Sequence, residues 1–228
     1  MKVNVGELVL RLVLLWLIVA VLLFVPAGTM YWPVAWVFLG LLVVFQVALT
    51  LWMFKYSPGL LDERMVGLQG ERRASGDALV TLLVGVVFVV WLAFVPLDAV
   101  RYHWSHVPLL LQIIGAVILV SSYYLFFIAY QANPYMSPAA RIQEDRGQTV
   151  ISSGPYAYVR HPTYTGVLLL VLGTTLMLGS WYGLIPGFIV VALFARRALL
   201  EENMLRQELA GYSDYMARVK YRLIPLVW

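Results

Sequence analysis

Long uninterrupted apolar runs dominate the first part of the chain, and they constrain its fold more than any other feature. Four of them are each long enough to cross about 30 Å of hydrocarbon as a helix, at residues 8–25, 32–54, 78–97 and 107–130. A backbone inside a bilayer must satisfy its own hydrogen bonds, so these runs predict membrane-spanning helices. Hydrophobic residues make up 62% of the chain and charged residues 12%, which excludes an ordinary soluble domain.

The first run follows a short segment that contains Lys2, so a secretory signal peptide is an alternative interpretation. The run is long for a signal peptide, however, and no small-residue cleavage pattern follows it. Residues 26–29, Pro-Ala-Gly-Thr, instead predict a tight turn into the second run. We therefore expect the first run to be a membrane helix, with Arg11 close enough to its end to snorkel.

Two shorter apolar runs, 163–178 and 181–195, are interrupted by glycine and proline. They predict either two thin spans or a kinked hairpin packed on the bundle. The predicted fold is therefore an all-α, polytopic transmembrane helix bundle of five to six spans. Residues 1–130 would form the N-terminal helices. Residues 131–228 would form a second region, with a polar loop, the short hairpin and an amphipathic helical cap from Arg196 onward, in which Gly211 stops the first helix and a Tyr-rich second helix follows.

The distribution of basic residues predicts the orientation of the bundle. With six spans, the amino terminus, residues 55–77, residues 131–162 and the tail share one side, and they hold fifteen of the sixteen Lys and Arg residues. Only Arg101 lies on the other side. The positive-inside rule therefore places both termini, the loop before residue 163 and the cap in the cytoplasm.

Residues 152–166, SSGPYAYVRHPTYTG, place turn formers, aromatic residues and an Arg-His pair between two apolar blocks. Gly154 and Pro155 interrupt regular structure, and Pro162 disfavours helical backbone at His161. We expect Arg160 and His161 on constrained backbone at the membrane boundary. This position suits the binding of a polar ligand.

An ordered set of motifs follows this segment. An apolar hairpin leads to Glu201-Glu202-x-x-Leu205, then to Gly211-Tyr212-x-x-Tyr215, and finally to Arg222-x-Ile224-Pro225. Together with residues 143–148, QEDRGQ, the set resembles the isoprenylcysteine carboxyl methyltransferase family over about the last hundred residues. The resemblance implies a polytopic membrane enzyme that uses S-adenosylmethionine. The Gly-rich fingerprint of dinucleotide-binding folds is absent from the sequence.

The resemblance also implies a role for each matching position. Arg197 would face the methyl acceptor, whereas Arg160 belongs to the motif without an assigned contact. No metal is implied. The positions that would contact the cofactor are Gln143, Gln148, Thr149, Val150, Ile151, Tyr156, His161, Pro162, Thr163, Tyr164 and Glu201.

The chemistry of these side chains agrees with such roles. S-adenosylmethionine carries a sulfonium, an amino group and a carboxylate, so its site needs a carboxylate, hydrogen-bond donors and aromatic faces. Glu201, His161 and Tyr156 are of these types. A carboxylate acceptor is already a nucleophile at neutral pH and needs alignment, which the planar fork of Arg197 can supply. An amine acceptor would need a base, and no residue stands out as one.

Several alternatives remain open from the sequence. Arg160 and Arg197 are also typical of positive-inside anchors, and tyrosines at a membrane boundary are commonly interfacial. The chain could methylate a phospholipid or another amine, or it could be an NADPH-dependent enzyme like the sterol reductases, whose carboxy-terminal region is similar. It could also be a non-enzymatic membrane scaffold. If it is a methyltransferase, its acceptor is predicted to be a lipid or prenylated small molecule from the bilayer, most simply an isoprenylcysteine carboxylate, and not a nucleic acid.

Overall fold

The computed structural model describes residues 4–66, 77–138 and 141–228. In this part of the chain there is no β-strand, and the all-α prediction is confirmed. A single π-helical turn, Leu97–Arg101, continues the fourth helix, and short 3-10 turns lie at Glu144–Arg146 and Gly154–Ala157. The α-helices are α1 (Val5–Ala27), α2 (Pro33–Tyr56), α3 (Pro58–Val66), α4 (Asp77–Pro96), α5 (Leu109–Ala132), α6 (Pro162–Met177), α7 (Leu184–Glu208) and α8 (Tyr212–Arg218).

Four of these helices are long and apolar enough to cross a membrane: α1, α2, α5, and α4 together with its π-helical extension. They correspond to the four long apolar runs, so the predicted membrane helix bundle is confirmed. Many of their large apolar side chains are exposed, such as Val25 at 68% and Leu109 at 70%. Outward-facing apolar side chains of this kind are what a helix in contact with lipid requires.

The last two apolar runs form α6 and the first half of α7, joined by a short turn around Gly179. Helix α7 does not end where its sequence becomes polar. It continues through Arg196 as one helix of 25 residues and ends at Glu208. Gly211, the expected helix stop, adopts a left-handed conformation with φ of 80° three residues later and precedes α8. The second arm of the apolar hairpin and the first part of the amphipathic tail are therefore one continuous helix.

Helices α5 and α6 pack with their backbones close together at two glycines. A Cβ atom on Gly115 would lie 2.5 Å from the backbone nitrogen of Met177, and one on Gly173 would lie 2.5 Å from the backbone nitrogen of Leu119. Small residues at such contacts allow membrane helices to approach closely. This packing fixes α6 against α5 along its length, and with it the polar residues at the start of α6.

A buried carboxylate ties the other end of the bundle together. Asp98, in the π-helical turn, accepts hydrogen bonds from the hydroxyls of Ser105 and Ser180 at 2.5 Å each. The backbone N–H of Tyr182 also donates to it, at 3.2 Å. Asp98 thus connects the end of α4 to the turn before α7, and it positions α7 from the end opposite to Glu201.

Candidate active site

The predicted motif loop lies where α6 begins. Pro162 is the first residue of α6, and His161 before it has ψ of 66°, outside the helical region, as the X-Pro rule predicts. Gly154 adopts φ of 57°, which allows the 3-10 turn that carries Tyr156. Arg160 and His161 are both buried, with 6% of each exposed. Two polar side chains are therefore held inside the protein, where they need partners.

The main partner of both residues is the carboxylate of Glu202 on α7, which is itself 2% exposed. Arg160 Nε donates to Glu202 Oε1 at 2.6 Å, and Arg222 Nε donates to Oε2 at 2.8 Å. His161 Nε2 lies 3.3 Å from Oε1. These four side chains form the Glu202 cluster. It joins the motif loop, α7 and the tail at one point.

Backbone hydrogen bonds hold the tail against the motif loop as well. The N–H groups of Arg160 and His161 donate to the carbonyls of Tyr221 and Arg222, at 2.9 Å each. The Arg160 guanidinium also donates to the carbonyl of Val219, at 2.7 Å. Arg160, which had no assigned contact from the sequence, is thus a structural connection between two distant segments.

The Glu202 cluster determines the ionisation of its carboxyl group. Burial alone would raise the pKa of Glu202, but hydrogen bonds from His161, Arg160 and Arg222 outweigh burial and lower the pKa to about 2, from an ordinary value of 4.5. The carboxylate therefore stays ionised throughout the physiological range and remains available to both arginines.

The lowered pKa of Glu202 predicts how stability depends on pH. Because the folded pKa lies below the unfolded value, this group stabilises the fold fully above about pH 4.5, and the contribution is lost as the pH falls towards 2. Thermal unfolding of the wild type and of Glu202→Gln in detergent should show midpoints that differ most at neutral pH and converge below pH 4.5. A difference that stayed constant from neutral pH to pH 3 would contradict this account.

Glu201, the neighbouring residue, points to a different environment. Its Oε2 accepts a hydrogen bond from the Tyr164 hydroxyl at 2.7 Å, and 29% of its side chain is exposed. The Tyr164 ring stacks on His161, with the ring centroids 5.2 Å apart and the planes 5° from parallel. Glu201 is thus held by a half-buried tyrosine while part of its side chain remains accessible.

Arg197 lies one turn before Glu201 on α7 and is held by two residues outside that helix. Its Nε donates to Asp77 Oδ1 at 2.9 Å, and its Nη2 donates to the carbonyl of Pro138 at 2.5 Å. Asp77, the first residue of α4, is fully buried. The sequence did not indicate this pair, because Asp77 looked like an ordinary residue at a helix start.

A cavity of about 600 Å³ joins most of the predicted site. It lies between the start of α6, the polar half of α7, the loop that precedes the motif, and the ends of α4 and α5. All but two of the predicted residues line it: Gln148, Thr149, Val150, Ile151, Tyr156, His161, Thr163, Tyr164, Arg197 and Glu201.

The structure does not bring Gln143 and Pro162 to the cavity wall. Gln143 is fully buried, and its amide group is used within the loop: Nε2 donates to the carbonyl of Tyr135 at 2.6 Å, and Oε1 accepts from Arg146 at 2.5 Å. Pro162 is buried as the first residue of α6. Both residues shape the loops around the cavity without facing it.

Other residues of the wall were missed. Tyr212 and Tyr215 belong to the Gly-Tyr-x-x-Tyr motif, so their pattern could have indicated them. Asn133 donates to the Tyr156 hydroxyl at 3.2 Å, and Tyr215 donates to the Tyr156 carbonyl at 2.8 Å. Asn133 and Arg64 have no motif around them, so only the fold identifies them as part of the wall.

Comparisons with known proteins point to membrane enzymes. Residues 104–210 match the family model described as phospholipid methyltransferase. The chain is 30% identical over 99 residues to protein-S-isoprenylcysteine O-methyltransferase of Schizosaccharomyces pombe, covering 42% of each protein. It is 27% identical over 146 residues to protein-S-isoprenylcysteine O-methyltransferase B of Arabidopsis thaliana, covering 62% of this chain and 70% of that relative.

A reductase is also similar to part of the chain. Delta(14)-sterol reductase TM7SF2 of Mus musculus is 29% identical over 140 residues, which are 56% of this chain and 33% of the reductase. The chain thus spans about a third of that relative and 42% of the Schizosaccharomyces pombe protein. The motifs of the site and the helical membrane fold agree with these comparisons, and the chain is similar over part of its length to members of the isoprenylcysteine carboxyl methyltransferase family.

Proposed function

We propose that the chain is a methyltransferase that binds S-adenosylmethionine in the 600 Å³ cavity and methylates an acceptor from the bilayer. The observation that carries the proposal is that one cavity wall contains two groups of opposite charge. They are the partly exposed carboxylate of Glu201 and, one helical turn away, the guanidinium group of Arg197. One group suits a cationic cofactor and the other a carboxylate acceptor. The excess of basic residues around the site supports a cytoplasmic location.

The residues of the wall fit this cofactor. A volume of about 600 Å³ lies within the usual range for small-molecule sites. Residues 149–151 lie outside the helices, so their backbone groups can bind a polar ligand. Tyr156 and Tyr212 supply aromatic faces, and Glu201 supplies the negative charge that an ammonium or sulfonium group needs. When bound, S-adenosylmethionine supplies an electrophilic methyl group.

The protein's own part in the reaction is to align the acceptor and exclude water. Asp77 and Pro138 hold Arg197 through Nε and Nη2, and among the described residues Nη1 has no partner, so its donors can face the acceptor. A carboxylate acceptor is ionised at neutral pH and needs no base. Held at Arg197 and removed from water, it attacks the methyl carbon in line with the departing sulfur.

Two other functions have less support from the site. An NADPH-dependent reductase would have to hold the anionic 2′-phosphate of its cofactor in this wall. The carboxylate of Glu201 in the same wall would repel a phosphate. An amine acceptor, in turn, would be repelled by the guanidinium groups and would need a base.

Replacing Glu201 with glutamine tests the proposed cofactor site. Calorimetric titration of the detergent-purified protein should show binding of S-adenosylhomocysteine, weakened about tenfold or more in Glu201→Gln because a charge-assisted contact is lost. Glu208→Gln, an exposed change on the same helix, is the matched control and should bind like the wild type. Binding of NADPH alone, or of neither ligand, by the wild type would overturn the proposed function.

A further inference from the structure

A second cavity, of about 420 Å³, lies inside the helix bundle between α1, α2, α4, α5 and α6. Its wall is mostly leucine, phenylalanine and methionine side chains. On α2 the lining runs from Phe38 to Met53, which is about 22 Å along the helix axis. The cavity therefore follows much of the depth of the hydrocarbon layer. Its shape and lining suit an extended apolar chain.

The two cavities meet at three residues that line both: Arg64, Phe126 and Tyr130. Arg64 donates to the Tyr130 hydroxyl, and its guanidinium carbon lies 5.0 Å from the centre of the Tyr130 ring. In the described part of the chain, Arg141 and Arg197 have carboxylate partners and Arg64 has none. The junction of the polar and apolar cavities thus carries a positive charge that no carboxylate of the described residues pairs with.

Two buried hydroxyl groups in the wall of the second cavity are unusual. Tyr123 and Thr174 are 6% and 1% exposed, and neither hydroxyl has a hydrogen-bond partner among the described residues. The next residue, Thr175, has the partner that Thr174 lacks, because its hydroxyl donates to the backbone carbonyl of Val171 at 2.6 Å. Stacking on Phe45, with ring centroids 4.5 Å apart, fixes the Tyr123 ring. Buried polar groups are normally paired, so these two point to a ligand atom.

The spacing of residues on α5 gives the depth of the Tyr123 hydroxyl relative to Tyr130. Tyr123 and Tyr130 are seven residues apart, two helical turns, so they share one face and lie about 10 Å apart along the axis. A chain whose head group lies beside Arg64 and Tyr130 would therefore pass Tyr123 about 10 Å deeper in the bilayer.

We propose that the second cavity binds the buried part of the methyl acceptor, an amphiphile with an anionic head group and an oxygen-bearing chain. Arg64 binds the head group at the junction with the first cavity, and Arg197, in the wall of that cavity, aligns the group that is methylated. Tyr123 and Thr174 hydrogen-bond to a hydroxyl, ether or carbonyl oxygen about 10 Å along the chain. A plain hydrocarbon or prenyl chain would leave both hydroxyls unsatisfied and bind less well. This inference rests on the proposed methyltransferase function, because it identifies the acceptor.

Native mass spectrometry of the detergent-solubilised protein, saturated with S-adenosylhomocysteine, can test the proposal with three probes. These are octadecanoate, octadecanoate with a hydroxyl near mid-chain, and octadecylamine. We expect the hydroxylated acid to bind about fivefold more tightly than the plain acid, and the plain acid to bind more tightly than the amine. The double variant Tyr123→Phe/Thr174→Val should lose the preference for the hydroxylated acid over the plain acid. Arg64→Gln should lose the preference for the plain acid over the amine. Tyr124→Phe, exposed on the outer surface, should keep both.

Equal binding of the plain and hydroxylated acids to the wild type would overturn this inference, as would a preference that survived in the double variant. The double variant removes only hydroxyls that lack partners, so it should fold and bind S-adenosylhomocysteine normally. If the wild type binds S-adenosylhomocysteine but shows no preference among the chains, only the acceptor assignment fails. If it does not bind S-adenosylhomocysteine, the proposed function itself fails.

Discussion

Replacing Glu202 with glutamine should destabilise the protein by about 3–5 kcal/mol, the largest loss of stability that we expect from a single change. The substitution keeps the volume of the side chain but removes the charge that Arg160, Arg222 and His161 share. Arg160, 6% exposed, would then be a buried cation without a carboxylate. For a chain of this size the thermal unfolding midpoint should fall by about 6–20 °C.

A matched change on the same helix separates this effect from a general loss of charge. Glu208 is exposed, so Glu208→Gln should leave the midpoint of unfolding unchanged. Both variants can be followed by thermal unfolding in the same detergent at neutral pH. If Glu202→Gln unfolded at the wild-type temperature, the Glu202 cluster would not be the structural connection that its geometry indicates.

Replacing Arg197 with alanine should reduce methyl transfer by about 100- to 1,000-fold while leaving the affinity for S-adenosylhomocysteine largely intact. The proposed role of Arg197 is to align the acceptor, and it lies one turn from the residue assigned to the cofactor, Glu201. The rate can be measured as radiolabelled methyl passed from S-adenosylmethionine to the lipid-extractable fraction of membranes. Arg196→Ala, an exposed change at the preceding position, should retain activity.

Arg197→Ala also leaves the buried carboxylate of Asp77 without this partner, so a second variant is needed. Arg197→Lys keeps a positive charge near Asp77 but loses the planar guanidinium, which holds Nη1 towards the acceptor while Nε and Nη2 are bound elsewhere. It should fold, bind S-adenosylhomocysteine and still transfer methyl groups poorly. Equal loss of cofactor binding in Arg197→Lys and Glu201→Gln would refute the proposed division of labour between the two residues.

The sequence predicted the parts of the fold that depend on local physics. A run of apolar residues long enough to cross a bilayer has few alternatives, so α1, α2, α4 and α5 could be placed from hydropathy alone. Pro162 restricts the residue before it wherever it occurs, so the non-helical backbone of His161 was equally predictable. Hydropathy failed to mark the end of α7, because it reports depth in the membrane and not the end of a helix.

The parts that escaped prediction depend on tertiary contacts. Glu201 and Glu202 are adjacent, but successive residues on a helix point about 100° apart, so one lines the cavity and the other enters the Glu202 cluster. Nothing in the sequence says which is which without their neighbours. Asp77 and Arg197 are separated by 120 positions, and the pairing exists only because α4 packs against α7.

The pairing of the tail with the motif loop imposes an order on biogenesis. Arg160 and Val219 are 59 positions apart, and both α6 and α7 lie between them. The two segments can meet only after α6 and α7 have packed as a hairpin and brought the tail back beside the loop. A chain whose hairpin had not formed would leave Arg160 and Glu202 apart and the cavity unbuilt. Ligand binding is thereby restricted to molecules in which the hairpin has formed.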